Sequence, residues 1–512
     1  MSPITRTRRS DVSSALAASR LGVPAVVFFV MSAAAPLTVI AGAVTTAHAV
    51  TGVVAIPVAF LAVAVVLALF SVGYVAMARH ISHAGAFYTY ITHGLGRPAG
   101  VAASFVAVLA YNGLQIALYG GLGVAAAGLA EAEFHTAVPW WVFALGAWLI
   151  VAVLGVLRVD LNGKVLAVLL CAEIAVVVVY DAVSLTHPAN GVVTFAALDP
   201  TNLLAAGMGA VLVTAVTGFI GFESAAVFSE ESRNPRRTVP TATYLAVALI
   251  AVLYAGSSWA MTVAVGPDAI VAASRDQGPA LIFGLAAVHL GQTMADVGQV
   301  LFLTSLLAAL LSFHNTVARY LFALGREGVL PRALGRTVRR SGAPKNASLT
   351  QSLLGLAVIV GFAVTGWDPL VQLFFWGGMT GGFGTLLLIA ATSVAVIAYF
   401  RRHRFTENVW RRTIAPALAS VALAAVVALA LANFAILLGV DAHDPRRWIL
   451  PSVYPVAAMA GFVWAAYLHR RHPAVYAAVG LGANAVTGRT THTDAPPETA
   501  TPTATAPTGA AQ

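Results

Sequence analysis

Long apolar stretches alternate with short polar connections along most of the chain. About 20 consecutive apolar residues cross the hydrocarbon core of a bilayer, and twelve stretches reach that length. The pattern therefore predicts an all-α membrane protein with 12 transmembrane helices. The stretches, numbered 1 to 12 in chain order, lie at approximately 22–45, 53–78, 98–127, 138–157, 164–186, 204–229, 241–265, 295–324, 348–366, 370–400, 414–439 and 450–469.

The composition agrees with a membrane bundle. Hydrophobic residues make up 59% of the 512 positions and charged residues 10%, with a mean hydropathy of +0.84. A soluble core does not need so much apolar surface, whereas a bundle of lipid-facing helices does. We expect a cytoplasmic segment at residues 1–20, the membrane domain at 21–470, and a disordered tail at 473–512, which is rich in Thr, Ala and Pro.

The distribution of positive charge predicts the orientation. With a cytoplasmic N-terminus, the 29 Lys and Arg residues lie in cytoplasmic connections or at cytoplasmic helix ends, except for Arg275, Arg446 and Arg447. Cytoplasmic loops of membrane proteins carry such an excess of basic residues. Both termini are therefore expected in the cytoplasm, in a multi-pass protein of the plasma membrane. Because this distribution explains the net charge of +9, nucleic acid is not an expected partner.

Stretches 1 and 6 carry interruptions at corresponding positions. Stretch 1 contains Ser32-Ala-Ala-Ala-Pro36, and the helix should open there because proline lacks a backbone donor and clashes with the preceding turn. Stretch 6 contains Gly218, Gly221 and Glu223; glycine loosens a helix, and a buried Glu costs free energy in hydrocarbon. Paired interruptions indicate an inverted-repeat transporter, with copies at about 22–186 and 204–400 and helices 11 and 12 (about 414–469) outside them.

Two facing breaks predict a binding site near the middle of the bilayer. Amides freed at a half-helix N-terminus suit an anion and freed carbonyls suit a cation, so the breaks can hold both ends of a zwitterion. The alternative is a proline kink and a glycine packing site, both of which are common in membrane helices. The expected substrate-binding residues at the breaks are Ser32, Ala33, Ala34, Ala35, Gly218, Phe219, Ile220, Gly221 and Phe222.

Three further motifs make the chain resemble a known family. Gly85-Ala-Phe-Tyr-Thr-Tyr90 lies in the first predicted cytoplasmic loop, Glu230-Glu-Ser-Arg-Asn-Pro235 follows stretch 6, and Arg319-Tyr-Leu-Phe-Ala-Leu-Gly-Arg-Glu-Gly328 ends stretch 8. Together with the two breaks, they make the chain resemble the amino acid–polyamine–organocation superfamily of amino-acid permeases over roughly residues 20–470. The resemblance implies a five-plus-five inverted-repeat fold of the leucine-transporter type and transport by alternating access.

Glu173 is the first candidate for ion coupling. It lies in the middle of stretch 5, where a charged carboxylate costs on the order of 3 kcal/mol, so we expect the protonated form to be favoured until the site becomes wet. Some proton-coupled members of the resembled family place a lysine nine residues after a basic residue, and Glu173 follows Lys164 at this spacing. Two alternatives stay open: an anionic Glu173 that helps to hold Na⁺, and a neutral one that bonds a neighbouring helix.

Glu223 is the second candidate for coupling, because it matches the acidic position of the family's Gly-Phe-Glu motif. Its alternative role is to satisfy backbone groups that the break frees. Certain arginine/agmatine exchangers of the family carry a gating tryptophan six residues before this position, where the present chain has Thr217. An aromatic lid would then come from Phe219 or Phe222, and an extended cationic substrate is not expected.

Polar residues in stretches 3 and 8 are candidates for substrate contacts or for helix–helix bonds. Asn112 and Gln115 are the expected substrate contacts in stretch 3, with Tyr111 and Tyr119 near the same face as Gln115. His314 in stretch 8 titrates in the neutral range when unperturbed, although a lone membrane histidine more often bonds a neighbouring helix.

Charged residues near the predicted cytoplasmic surface suggest a gate. Glu230 and Arg319 are expected to form part of it, with solvated charges at helix ends as the alternative. The chain has no Gly-x-x-x-x-Gly-Lys-Ser/Thr, His-Glu-x-x-His or Cys-x-x-Cys motif, so no ATP, metal or other cofactor is expected. The sequence thus predicts a proton-coupled secondary transporter for amino acids or related small amines, and not an enzyme. Exchange, sensing without transport and intramembrane catalysis are the alternatives.

Overall fold

The computed structural model describes residues 22–81, 86–157, 163–227, 232, 234–336, 344–403 and 407–481. Within these residues, ten helices are long and apolar enough to cross a membrane, and two shorter apolar helices form at stretches 4 and 6. The described chain is therefore a bundle of apolar helices, as the hydrophobic pattern predicts. Each helix takes the number of the stretch in which it lies.

Helices 1 and 6 are discontinuous and are described below. The helices of the other ten stretches are Ile56–Ala78 (helix 2), Arg97–Phe134 (3), Trp140–Leu157 (4), Gly163–Thr186 (5), Pro235–Val265 (7), Gln292–Glu327 (8), Lys345–Thr365 (9), Pro369–Trp376 continuing as Gly377–Arg402 (10), Trp410–Ile414 continuing as Ala415–Ala432 (11) and Arg446–Arg471 (12). Short helices at Ala86–Leu95, Ile270–Gln277 and Leu281–Leu290 connect helices 2 to 3 and 7 to 8.

Helix 1 is interrupted at Ala35. Its first part, Val23–Ala34, ends where Ala35 adopts a left-handed conformation with φ 49°. Pro36 follows and has no N–H to continue the hydrogen-bond ladder. The chain resumes as a π-helix, Thr38–Val44, which continues as an α-helix to Thr51. The interruption lies within the Ser32–Pro36 segment where the sequence predicts it.

Helix 6 is interrupted at residues 220–223. Its first part is Met208–Phe219, and a short helix, Ser224–Val227, follows the break. Gly221 has φ +119°, a conformation that residues with a side chain rarely adopt. A Cβ atom at Gly221 would lie 3.0 Å from the Cβ atom of Ala33, in helix 1. The glycine therefore permits both the turn and the close approach of the two breaks.

The two breaks lie inside the bundle. Helix 1 packs against helices 7 and 8, and helix 6 packs against helices 2, 10 and 11. Helix 3 packs against helices 8, 10 and 12 and so forms much of the interior. Ala35 and Ile220, which mark the breaks, are buried. Because lipid cannot satisfy free backbone groups, an interrupted helix is tolerated only where protein encloses the interruption.

The last described residues pack against the body of the protein. Pro473–Ala478 form a short helix, Val479 is buried, and the Gly480 amide donates a hydrogen bond to Glu327 Oε2 at 3.2 Å. The segment that the sequence assigns to a disordered tail from residue 473 is therefore ordered as far as residue 481. The prediction rests on the average composition of residues 473–512, in which the few apolar residues at 473–481 have little weight. Residues 482–512 and 1–21 lie outside the described part of the chain.

Candidate functional site

A cavity of about 60 Å³ lies where the two breaks meet. Helices 1, 3, 6, 8 and 10 all contribute to its wall, and each lining residue is buried or half-buried. The cavity is thus held between the discontinuous helices and three continuous ones. It is lined by Ala33, Ala34, Ala35, Thr38, Val39, Ala43, Leu114, Ala117, Leu118, Thr217, Gly218, Ile220, Ala309, Phe313, Phe374, Gly378 and Met379.

The predicted residues at the breaks divide into three groups. Ala33, Ala34, Ala35, Gly218 and Ile220 line this cavity. Ser32 instead lines a second cavity of about 20 Å³, and its hydroxyl is buried without a hydrogen-bond partner. Phe219, Gly221 and Phe222 are buried beside the cavity and are not part of its wall. A substrate-binding role for any of them stays a prediction.

The carboxyl group of Glu223 is bonded within the break of helix 6. Its Oε1 atom accepts a hydrogen bond from the Tyr111 hydroxyl at 2.5 Å, and its Oε2 atom accepts one from the Gly221 amide at 2.8 Å. The Tyr74 hydroxyl donates to the Glu223 backbone carbonyl at 3.2 Å. Glu223 therefore satisfies an amide that the break exposes, and it ties helix 6 to helix 3. This geometry corresponds to the alternative role that the sequence left open.

Glu173 performs a similar task at the break of helix 1. Its Oε1 atom accepts hydrogen bonds from the Leu37 amide at 2.5 Å and from the Ser305 hydroxyl at 2.8 Å. Leu37 carries the first N–H group after Pro36, at the start of the second part of helix 1. A helix N-terminus attracts negative charge, so a carboxylate suits this position. Glu173 also lines the 20 Å³ cavity, in which the Ser32 hydroxyl is unbonded.

A short chain of hydroxyl groups connects Glu173 to the larger cavity. The hydroxyl groups of Ser305 and Thr38 lie 3.1 Å apart, and Thr38 lines the cavity. The Thr38 amide also donates to the Ser305 hydroxyl, at 3.3 Å. Ser305 was not among the residues that the sequence singled out, since a serine within an apolar helix gives no signal of its partner. Through it, helix 8 holds Glu173 and the second part of helix 1 together.

The aromatic residues of the cavity differ from the predicted ones. Phe219 packs against Phe60 at 6.2 Å between ring centroids, and Phe222 packs edge-on against Phe70 at 6.1 Å. Phe313 and Phe374 line the cavity instead. The Phe374 ring fits between Gly42 and Gly121, where added Cβ atoms would lie 3.1 and 2.7 Å from it. The position of Phe374 depends on contacts among three distant segments, which the local sequence does not reveal.

The polar side chains of Asn112 and Gln115 in helix 3 bond within that helix and to helix 9. The Gln115 side-chain amide donates to the Tyr119 hydroxyl at 3.2 Å, and Gln351 of helix 9 donates to Gln115 Oε1 at 2.8 Å. Asn112 donates to the backbone carbonyl of Val108 at 2.7 Å. Neither Asn112 nor Gln115 lines the cavity, to which helix 3 presents Leu114, Ala117 and Leu118. The bond between Gln115 and Gln351 corresponds to the helix-bonding alternative, whereas the Asn112 bond stays within helix 3.

His314 and Arg319 do not line the cavity. His314 is buried and shares a hydrogen bond of 2.9 Å with the Ser348 hydroxyl of helix 9, as expected for a helix–helix contact. Arg319 is exposed near the end of helix 8. Glu230 lies outside the described residues, so the predicted gate between Glu230 and Arg319 is not described by this structure.

Comparison with known proteins identifies the family. A family model described as amino acid permease matches residues 25–466, which include the two breaks and every helix that lines the cavity. The chain belongs to the amino acid permease family. This membership agrees with the family named from the sequence motifs.

Individual relatives match this permease over shorter segments. A branched-chain amino acid permease of Lactococcus lactis is 26% identical over 201 residues, which are 38% of this chain and 42% of the relative. The methylthioribose transporter of Bacillus subtilis is 29% identical over 205 residues, or 38% and 40% of the two chains. The histidine permease of Saccharomyces cerevisiae is 28% identical over 215 residues, or 40% and 33%. The matches thus cover less than half the length of each of these relatives.

Proposed function

We propose that this permease is a secondary active transporter that moves amino acids or related small organic amines across the plasma membrane. The cavity at the facing breaks of helices 1 and 6 carries the proposal, because residues of both interrupted helices line it within the bundle. Family membership supports the same function. The named relatives act on branched-chain amino acids, methylthioribose and histidine, so their names leave the substrate's side chain open.

The breaks suit the two charged ends of an amino acid. The second part of helix 1 begins beside the cavity, and its N-terminal dipole favours a carboxylate. Glu173 bonds the Leu37 amide there, so a substrate carboxylate would take this place when Glu173 is protonated and accepts that bond less strongly. The first part of helix 6 ends beside the same cavity, at Phe219, and its C-terminal dipole favours an ammonium group. The substrate would therefore lie between Ala33–Ala35 and Gly218–Ile220, with its carboxylate towards helix 1.

The overall cycle in this proposal is alternating access. Helices 1–5 and 6–10 form two copies of opposite orientation, with helices 11 and 12 at the periphery and both termini in the cytoplasm. The two copies rock around the central cavity, and the motion of the broken helices opens it to one side of the membrane at a time. Glu230 and Arg319 contribute to closing the cytoplasmic side.

Proton binding at Glu173 provides the coupling. A charged Glu173 caps the Leu37 amide, while a protonated Glu173 is a weaker acceptor and holds the second part of helix 1 less firmly. Hydrogen bonds connect Glu173 through Ser305 to Thr38, which lines the cavity. Protonation of Glu173 and binding of substrate therefore affect each other. Glu223 is the second group that can take a proton, at the break of helix 6.

Uptake by purified full-length protein in proteoliposomes tests this function. We expect a labelled amino acid to accumulate above its external concentration when the outside is more acidic, and a protonophore to abolish the accumulation. Uptake that requires internal amino acid and resists the protonophore would assign exchange instead. Binding without uptake would assign a sensor, and conversion of the substrate would assign an enzyme. Absence of both binding and uptake for all amino acids and amines would reject the proposal.

A further inference from the structure

The chemistry of the cavity wall narrows the class of substrate. Among the residues that line the cavity in the described structure, only Thr38 and Thr217 have a hydroxyl, and none has a charged or amide side chain. Both hydroxyl groups already have partners, since Thr38 bonds Ser305 at 3.1 Å and Thr217 donates to the Val213 carbonyl at 2.8 Å. The wall therefore offers no unengaged polar side chain to a substrate.

The aliphatic part of the wall comes mainly from the continuous helices. Ala117 and Leu118 lie three and four residues after Leu114 and so share one face of helix 3 with it. Helix 8 adds Ala309 and Phe313, and helix 10 adds Phe374, Gly378 and Met379. A substrate whose charged ends lie at the breaks would place its side chain against these apolar groups.

A charged side chain does not suit this environment. Its charge would lose water and gain no partner of opposite sign from the wall, and such a loss costs several kcal/mol. An uncharged polar side chain of the substrate would also lose hydrogen bonds to water without replacing them, at a smaller cost in free energy. An aliphatic side chain gains free energy from leaving water.

The size of the cavity sets a further limit. A volume of about 60 Å³, at roughly 10–15 Å³ for each water-sized group, holds about four to six such groups. Alanine has six non-hydrogen atoms, and valine has eight. Expansion beyond this size is hindered on one side, because the Phe374 ring is fixed between Gly42 and Gly121.

We propose, resting on the transport function above, that the substrate is a neutral amino acid with a small aliphatic side chain, of about the size of alanine or valine. Leu118 limits the length of that side chain. Helix 3 thus selects the substrate, while the backbone at the breaks binds the charged ends that all amino acids share.

Competition binding to the full-length protein tests the inference. Labelled valine is displaced by unlabelled alanine, valine, leucine, lysine, glutamate and tryptophan in separate titrations. We expect lysine, glutamate and tryptophan to bind at least tenfold more weakly than valine. The inference is overturned if lysine or glutamate competes as well as valine does.

Two outcomes separate this inference from the proposed function. If the protein binds amino acids but prefers charged ones, the inference fails and the transport function stands. If labelled valine and each of the other amino acids, labelled in turn, fail to bind, both fail together.

A pair of leucine variants tests the contribution of helix 3. Leu118→Ala enlarges the cavity, so we expect affinity for phenylalanine relative to valine to rise at least fivefold. Leu122→Ala is the matched control: Leu122 is one turn further along helix 3, is similarly buried, and does not line the cavity. If the two variants show the same affinity for phenylalanine relative to valine, the role of Leu118 is contradicted. The displacement series uses the unmodified protein, so its result does not depend on whether either variant folds.

Discussion

The Oε1 atom of Glu173 lies 2.5 Å from the backbone nitrogen of Leu37, the first amide after the proline that interrupts helix 1. A side chain from helix 5 thus caps the second part of helix 1, and an N-terminal cap of this kind is strongest when the carboxylate is charged. Glu223 meets the Gly221 amide in helix 6 in a related way, at 2.8 Å. Each broken helix therefore has a glutamate bonded to an amide at its break.

Glu173→Gln is expected to uncouple transport from protons. The glutamine carbonyl can still accept the Leu37 hydrogen bond, so the fold should persist, but the amide cannot exchange a proton in the neutral range. We expect accumulation driven by a pH gradient to fall at least tenfold (about 1.4 kcal/mol) while exchange of internal for external substrate continues. Proteoliposome uptake with and without a gradient measures both quantities.

Asp181→Asn is the matched control for that substitution. Asp181 lies on the same helix, and its Oδ2 atom accepts a hydrogen bond from the Ser257 hydroxyl at 2.6 Å, away from both breaks. We expect this variant to keep its gradient-driven accumulation. The coupling role of Glu173 is contradicted if Glu173→Gln accumulates substrate as well as the unmodified protein does.

Ser305→Ala is expected to weaken the connection between Glu173 and the cavity. The substitution removes a donor at 2.8 Å from Glu173 and the contact at 3.1 Å with Thr38. The loss of a buried hydrogen bond to a carboxylate costs about 1–3 kcal/mol, so thermal stability and gradient-driven uptake should both fall. Ser312→Ala in the same helix should change neither, because Ser312 does not line the cavities described here. If the two variants have the same thermal stability and the same gradient-driven uptake, Ser305 does not connect Glu173 to the cavity.

The sequence predicts the two breaks because their causes are local. Pro36 cannot continue a helix whatever surrounds it, and the glycine pair Gly218 and Gly221 marks a segment that tolerates unusual backbone angles. The apolar stretches are equally local: ten of them contain helices long and apolar enough to cross a membrane, and two contain shorter apolar helices. Bilayer thickness and backbone chemistry therefore determine this part of the structure.

The wall of the cavity depends on contacts that the sequence does not encode locally. Ser305 is 132 residues from Glu173 in the chain, and which face of helix 8 meets helix 5 follows from packing. Phe219 and Phe222 adjoin the break, but the backbone turn directs them towards Phe60 and Phe70 of helix 2. Gln115 was expected to contact substrate because it is polar and deep, yet its partner is Gln351 of helix 9. The polarity of Gln115 indicates that it needs a hydrogen-bond partner, but the local sequence does not show which residue that partner is.

Tyr111→Phe is expected to loosen the break of helix 6. The substitution removes the hydroxyl that donates to Glu223 at 2.5 Å and keeps the ring that stacks on Tyr320 at 5.4 Å. A buried carboxyl that loses a donor costs about 1–3 kcal/mol, so we expect a lower unfolding temperature and weaker substrate binding. Tyr467→Phe, at an exposed ring that stacks on Trp464, is the control and should leave both unchanged. An unaltered unfolding temperature in Tyr111→Phe would show that the bond contributes no stability.

Gly221→Ala and Gly256→Ala are expected to change stability in opposite directions. At Gly221 the backbone has φ +119°, and a Cβ atom would lie 3.0 Å from the Ala33 Cβ atom, so alanine there should cost about 1–3 kcal/mol and reduce substrate affinity. At Gly256, inside helix 7, an added Cβ atom meets nothing within 4 Å, and alanine should stabilise the helix by about 0.5–1 kcal/mol. Thermal unfolding of the two variants, with and without a bound amino acid, measures both effects. If Gly221→Ala unfolds and binds like the unmodified protein, the close approach of the two breaks is not needed for the site.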